Sequence, residues 1–129
     1  MVRMVNLRAS LEGAAGSETI LSAVIGSFNG YEERIQPDRI PAEKRGVVLP
    51  WVEARALLDY EYNNGFGGAD CHPVFAWTPT RVLFVHEYDG ATGVQWVPRE
   101  PIALIPLFGG QGLSRPGPGI RRARGVPCR

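Results

Sequence analysis

LLDYEYNNGFGGADCHPVFAWTPTRVLFVHEYDGATGVQWVPREP, residues 57–101, carries most of the chain's aromatic residues, both of its histidines and its plainest turn dipeptide, Asp89-Gly90. In order it reads as the end of a helical stripe, a glycine-rich loop, and apolar runs cut by turn residues, which is how a small antiparallel sheet is written. Three strands are expected, over residues 71–77, 81–88 and 94–98. Thr78-Pro79-Thr80 and the five residues 89–93 are expected to join them. The middle run is apolar on both faces at its centre and belongs inside the sheet.

These loop lengths imply a register. A three-residue loop at 78–80 sets Trp77 against Arg81, and therefore Phe75 against Leu83, Cys71 against Glu87 and His72 against His86. A five-residue loop at 89–93 sets Tyr88 against Val94 and His86 against Trp96. One face would carry His72, His86 and Trp96, and the other Cys71, Glu87 and Gln95. A slip of one residue in either loop exchanges the faces.

Upstream, Pro50 suits a first helical turn, and Trp51, Ala54, Leu57 and Leu58, extending to Tyr62, fall on one stripe that should pack on the sheet. Residues 36–46, QPDRIPAEKRG, form a polar surface connection, since prolines 37 and 41 disfavour helix in the residues before them. Residues 17–25 admit two readings: a helix capped by Ser17, or a strand over 23–28 that turns at Asn29-Gly30 and returns through 31–35. Asn-Gly between apolar residues favours the hairpin. Residues 2–11 alternate loosely and are read as a strand.

Downstream, IALIPLF (102–108) reads as an edge strand interrupted by Pro106, which cannot donate a ladder bond. Residues 109–129 are rich in Gly, Pro and Arg and are expected to be disordered. The expected architecture is α+β: one domain over residues 1–108, with one helix packed on a small antiparallel sheet of three to five strands, then a disordered C-terminal tail.

The 129 residues suffice for one domain that buries roughly two thirds of its unfolded surface. A formal charge of +1 conceals an asymmetry. Residues 115–129 carry five arginines and no acid, leaving nine basic against thirteen acidic residues elsewhere, a balance of −4. Only the tail, through Arg115, Arg121, Arg122 and Arg124, would attract nucleic acid, and weakly. Thirteen arginines against one lysine suggest a GC-rich source genome. No signal segment and no long apolar run are seen, so a soluble cytoplasmic protein is expected, with Cys71 and Cys128 unpaired and no membrane partner.

No coherent catalytic set is legible. Cys71 beside His72 resembles a nucleophile and base, but neighbouring strand residues point to opposite faces. The GFGG run lacks the Lys-Ser/Thr of a phosphate loop. His72 and His86, if opposed, would make two metal ligands with Asp70 or Asp89 as a third, and a metal-dependent hydrolase is the alternative reading. The leading reading needs no cofactor and no catalysis. Tyr60, Tyr62, Phe66, Asp70, His86, Tyr88 and Arg99 gather around the loop and sheet end as a surface for a macromolecule or a small nucleotide-type ligand.

Through LDYEY (58–62), GFG (65–67), Cys71, WTPTRVLFVHEYDG (77–90) and VPREP (97–101), the sequence resembles small uncharacterised proteins of bacteriophages and prophages. The resemblance covers about 45 residues, following the pattern LDYxY, GFG, C, WTxxxVxFVxEYDG, VPRxP. It implies an accessory protein, of the kind that binds a host protein or defence molecule in the host cytoplasm, and names no reaction.

Overall fold

Asn6 ends a strand and starts a helix. In the computed structural model, which describes residues 3–28, 39–65, 70–88, 90–106 and 113–114, strand β1 (Met4–Asn6) gives way at once to helix α1 (Leu7–Ala15). The Asn6 side chain accepts a hydrogen bond from the Ala9 backbone N–H at 2.9 Å, satisfying one of the donors that a helix start leaves open. Leu7, Leu11 and Ala15 follow at a spacing of four, all buried, and Gly16 ends the helix at φ +65°. The strand expected over residues 2–11 is therefore corrected. Its second half is helix, because the cap and the four-residue spacing outweigh a loose alternation.

The chain continues through β2 (Ser22–Ile25), a 3-10 turn (Ala42–Lys44), β3 (Leu49–Pro50), helix α2 (Trp51–Leu57), β4 (Glu61–Asn63) and β5 (Val74–Trp77). It goes on to β6 (Arg81–Tyr88), β7 (Ala91–Pro98), β8 (Leu104–Ile105) and β9 (Leu113–Ser114). Five strands form one antiparallel sheet in the order β3-β2-β5-β6-β7, while β1 pairs with β4 and β8 with β9. This is the expected α+β architecture, with two α-helices in place of one. Pro50 stands just before α2, and Tyr62 belongs to β4 rather than to the helical stripe.

Both hairpins turn more tightly than the composition of their loops suggests. Phe75 pairs with Phe84, Ala76 with Leu83 and Trp77 with Val82. The Thr78 N–H donates to the Arg81 carbonyl at 2.9 Å, so the connection proper is Pro79-Thr80. Tyr88 pairs with Ala91 across Asp89-Gly90, with Gly90 at φ +87° and its N–H donating to the Glu87 carboxylate at 2.6 Å. Each loop thus differs from expectation by an odd number of residues, and the faces exchange. His86 lies opposite Gly93, and Glu87 opposite Thr92. The expected rows His72/His86/Trp96 and Cys71/Glu87/Gln95 do not form.

The actual register lines Ala23, Ala76, Leu83 and Trp96 across one face, with Ile25, Val74, Val85 and Val94 beside them. These residues join Leu7 and Leu11 of α1 and Trp51, Ala54 and Leu58 on the α2 side in a single core. The opposite face carries Val24, Phe75, Trp77, Val82, Phe84 and Val97.

Of two further expectations, the strand reading near residue 23 is met in part and the place of residues 104–105 changes. Ser22–Ile25 pairs with β3 and β5, while Asn29-Gly30 and the return strand lie outside the described residues. Leu104–Ile105 does not extend the main sheet; it pairs with Leu113–Ser114, which carries ordered pairing past residue 108. Residues 115–129, with Arg115, Arg121, Arg122, Arg124 and Cys128, lie outside the described residues. Among those described, no helix is long and apolar enough to cross a membrane.

Arg81 ties α1 to the sheet. Its guanidinium donates to the carbonyls of Ala14 and Ala15 at the C-terminal end of α1, pairs with Glu18 at 3.5 Å and lies 5.1 Å from the Trp96 ring centre. With only 19% of the side chain exposed, these bonds are sheltered from water. Arg81→Met should lower stability by about 2 kcal/mol, read as a lower urea midpoint with an unchanged slope.

Candidate functional site

Four chemically capable side chains of the central stretch turn inward and meet beneath one end of the sheet. Tyr60 and Tyr62 flank the start of β4, and Cys71 and His72 precede β5; all four are buried. The Tyr60 hydroxyl accepts the His72 backbone N–H at 2.9 Å and lies 2.6 Å from His72 Nδ1. A hydroxyl that accepts from the backbone can still give its own proton to the imidazole. Phe28 stacks on the His72 ring at 4.9 Å between centroids, and the Arg39 guanidinium sits 4.2 Å from the centre of the Tyr60 ring.

The second half of the cluster reaches the β6–β7 hairpin. Tyr62 Oη and Thr92 Oγ1 are 2.6 Å apart. The Asn64 side-chain amide accepts the Thr92 N–H at 2.7 Å and donates to the Thr92 carbonyl at 3.1 Å. Both backbone groups of Thr92 are thereby engaged by one side chain, which stands where a further strand would. The hairpin is held to the end of β4, and the stems of the loop that follows, Asn64 on one side and Cys71-His72 on the other, are both fixed by polar bonds.

Electrostatics agree with a structural role for these groups. Burial pushes the Tyr60 phenol well above its ordinary range and the Tyr62 phenol up to about 12. Burial also pushes the Cys71 thiol up, with the nearby Asp70 charge acting the same way, and only the Tyr62 and Thr92 hydroxyls favour the thiolate. A thiol so held is a poor nucleophile. Glu87, expected opposite Cys71, instead caps the tight turn at Gly90.

The residues expected to share one binding surface separate into three places. Tyr60 and Tyr62 are 8% and 6% exposed and cannot stack a nucleotide ring. Asp70, His86 and Tyr88 are exposed, with His86 and Tyr88 on β6 at the hairpin end that Asn64 and Tyr62 hold. Arg99 donates to the Thr78 carbonyl at 2.9 Å at the other end of the same hairpin. At about 3.3 Å per strand residue, some 25 Å separates it from Tyr88, so no small ligand touches both. Phe66 lies outside the described residues.

The metal reading also changes. His72 is buried against Tyr60 and Phe28, while His86 is exposed opposite Gly93. Among the described residues no three His, Cys, Asp or Glu side chains come together to hold an ion. Sequence reasoning missed Asn64, Thr92 and Arg39. An Asn before a glycine loop hints at a side chain free to bond backbone, but its partner is 28 residues away.

Comparison with protein-family models, with curated proteins and with solved structures finds no match.

Two outcomes test the cluster. Tyr60→Phe removes two hydrogen bonds from buried His72 and should lower stability by about 2 kcal/mol, measured by urea unfolding. The Tyr60 and Tyr62 phenols titrate higher in the fold than in the unfolded chain, where the value is about 10. Their contribution is fully present below that pH and is lost as pH rises through the folded values, so thermal stability should fall above pH ~10. Tyr62→Phe should flatten that decline.

Proposed function

We propose that the protein is a non-enzymatic binding protein, of the bacteriophage accessory kind that its central stretch resembles, acting on a host macromolecule in the cytoplasm. The observation that supports this most directly is Tyr88, 77% exposed at the end of a hairpin that Tyr62 and Asn64 tie to the end of β4 by side-chain hydrogen bonds. A large aromatic side chain with little conformational freedom, offered from a fixed backbone, is the usual anchor of a protein interface. His86 on the same strand and Asp70 beside the loop stem supply polar groups to the same end. The His72 imidazole, the Cys71 thiol and the Tyr60 and Tyr62 phenols are buried and bonded to one another or to Thr92.

The partner is expected to be a protein rather than a nucleotide, because Tyr60 and Tyr62, the two tyrosines nearest the loop, are buried and cannot stack on a base. Affinity capture from host lysate with the native chain, followed by mass spectrometry, should return a partner that the Tyr88→Ala chain captures at least about 30-fold more weakly, as for an interface anchor worth 2 kcal/mol. Arg99→Ala, at the far end of the hairpin, should capture it as well as the native chain does. Equal capture by a folded Tyr88→Ala protein would remove the hairpin end from the interface.

A further inference from the structure

Strand β7 is an edge of the five-stranded sheet, with β6 on one side only. Tyr88 and Ala91 close the two-residue turn as a hydrogen-bonded pair, so every second residue from Ala91 gives its N–H and C=O to β6. Thr92, Val94, Trp96 and Pro98 turn theirs to the open side. The bonds of Asn64 to both backbone groups of Thr92, and of the Arg99 N–H to the Thr80 carbonyl, agree with that alternation.

Both ends of this edge are closed. Asn64 fills the place of a neighbouring strand at Thr92, and Pro98 has no N–H to offer. Between them, Val94 and Trp96 present two donors and two acceptors to which no described residue bonds. Backbone groups so spaced at a sheet edge match an extended backbone. A second copy of the chain does not fit. Two β7 edges paired antiparallel, Val94 on Trp96 and Trp96 on Val94, would bring Pro98 of each copy opposite Thr92 of the other, where Asn64 already sits. The slot takes a short strand that stops before Thr92.

The side chains beside the slot indicate what that strand carries. Directly opposed residues of an antiparallel pair point to the same face, so a residue opposite Trp96 lies on the Trp96 face. There Trp96, Pro98, Pro79 and Ile102 wall a groove of about 400 Å3, with Arg81 and Glu100 as its charged residues. Arg81 is turned to the carbonyls that end α1 and to Glu18, whereas Glu100 is exposed. We propose that β7 binds an extended segment of a partner protein as a sixth, antiparallel strand along Val94–Trp96, with apolar side chains on the Trp96 face and a basic one beside Glu100. This surface lies across the Asn64 cap from Tyr88 and does not depend on the hairpin end.

The test uses the native full chain, labelled with 15N, and the synthetic peptide acetyl-Lys-Thr-Val-Thr-Val-amide. Without peptide, the Val94 and Trp96 N–H groups should exchange with solvent at least about tenfold faster than those of Gln95 and Val97, which bond to β6. Millimolar peptide should move the Val94 and Trp96 N–H resonances downfield and slow their exchange. N-methylation of the two peptide valines, whose N–H groups face β7, should abolish both effects; N-methylation of the two threonines, whose N–H groups face away, should leave them. Glu100→Lys should weaken binding about threefold, and Glu in place of the peptide lysine should restore it. Equal binding of the two N-methylated peptides, or no shift with the parent peptide, would overturn the proposal. So would slow exchange of Val94 and Trp96 in the free chain, since the edge would then already be covered, by the chain itself or, where the slowing grows with protein concentration, by a second copy.

Discussion

The structure depends on two tight connections, Pro79-Thr80 between β5 and β6 and Asp89-Gly90 between β6 and β7. A hairpin's loop length sets which residues oppose each other, and in a strand of period two it thereby sets which side chains face inward. With two residues in each connection, Leu83 falls between Ala76 and Trp96 on the helix side. The same parity carries Arg81 to the end of α1 and Thr92 to Tyr62 and Asn64. Glu87 and Thr78 hold the turns locally: one carboxylate accepts the Gly90 N–H, and one buried hydroxyl accepts the Arg81 N–H at 2.9 Å.

From that register the remaining elements find their places. Helix α1 is bound at both ends by backbone or side-chain bonds to distant residues. Its first N–H groups donate to the carbonyls of Tyr60 and Leu58, and its last carbonyls accept from Arg81. Asp59 accepts from Asn6 and pairs with Arg8 at 3.2 Å, and those bonds, with Asn6 the larger, hold its carboxyl below its usual range. The N-terminal strand and helix are thus clamped between residues 58–63 and Arg81 of the central stretch, and α1 and α2 cover one face of the sheet together.

The inward cluster of Tyr60, Tyr62, Cys71 and His72 shows how a stretch rich in reactive residue types can be structural. Each group finds its partner within the cluster or on Thr92, and burial keeps the phenols and the thiol neutral. A buried polar network of this kind fixes one arrangement, because any other pairing leaves a desolvated group unsatisfied. What it leaves outside is the hairpin end with Tyr88, which is the surface we propose for binding.

Local pattern alone determined that three strands lie between residues 71 and 98, that a helix follows Pro50, that Asp89-Gly90 is a turn and that the chain is α+β. Each of these rests on interactions within a few residues, where periodicity, proline and glycine carry the information. The helix at Leu7–Ala15 was legible too, in Asn6, the spacing of Leu7, Leu11 and Ala15, and Gly16. Only the tertiary structure decided the pairing of β2 with β3 and β5, the parity of both hairpins, and the inward turn of Tyr60 and Tyr62. Strand periodicity states that side chains alternate but not which set is buried, and that choice is made by partners 12 to 67 residues away, such as Tyr60 with His72 and Arg81 with Ala14.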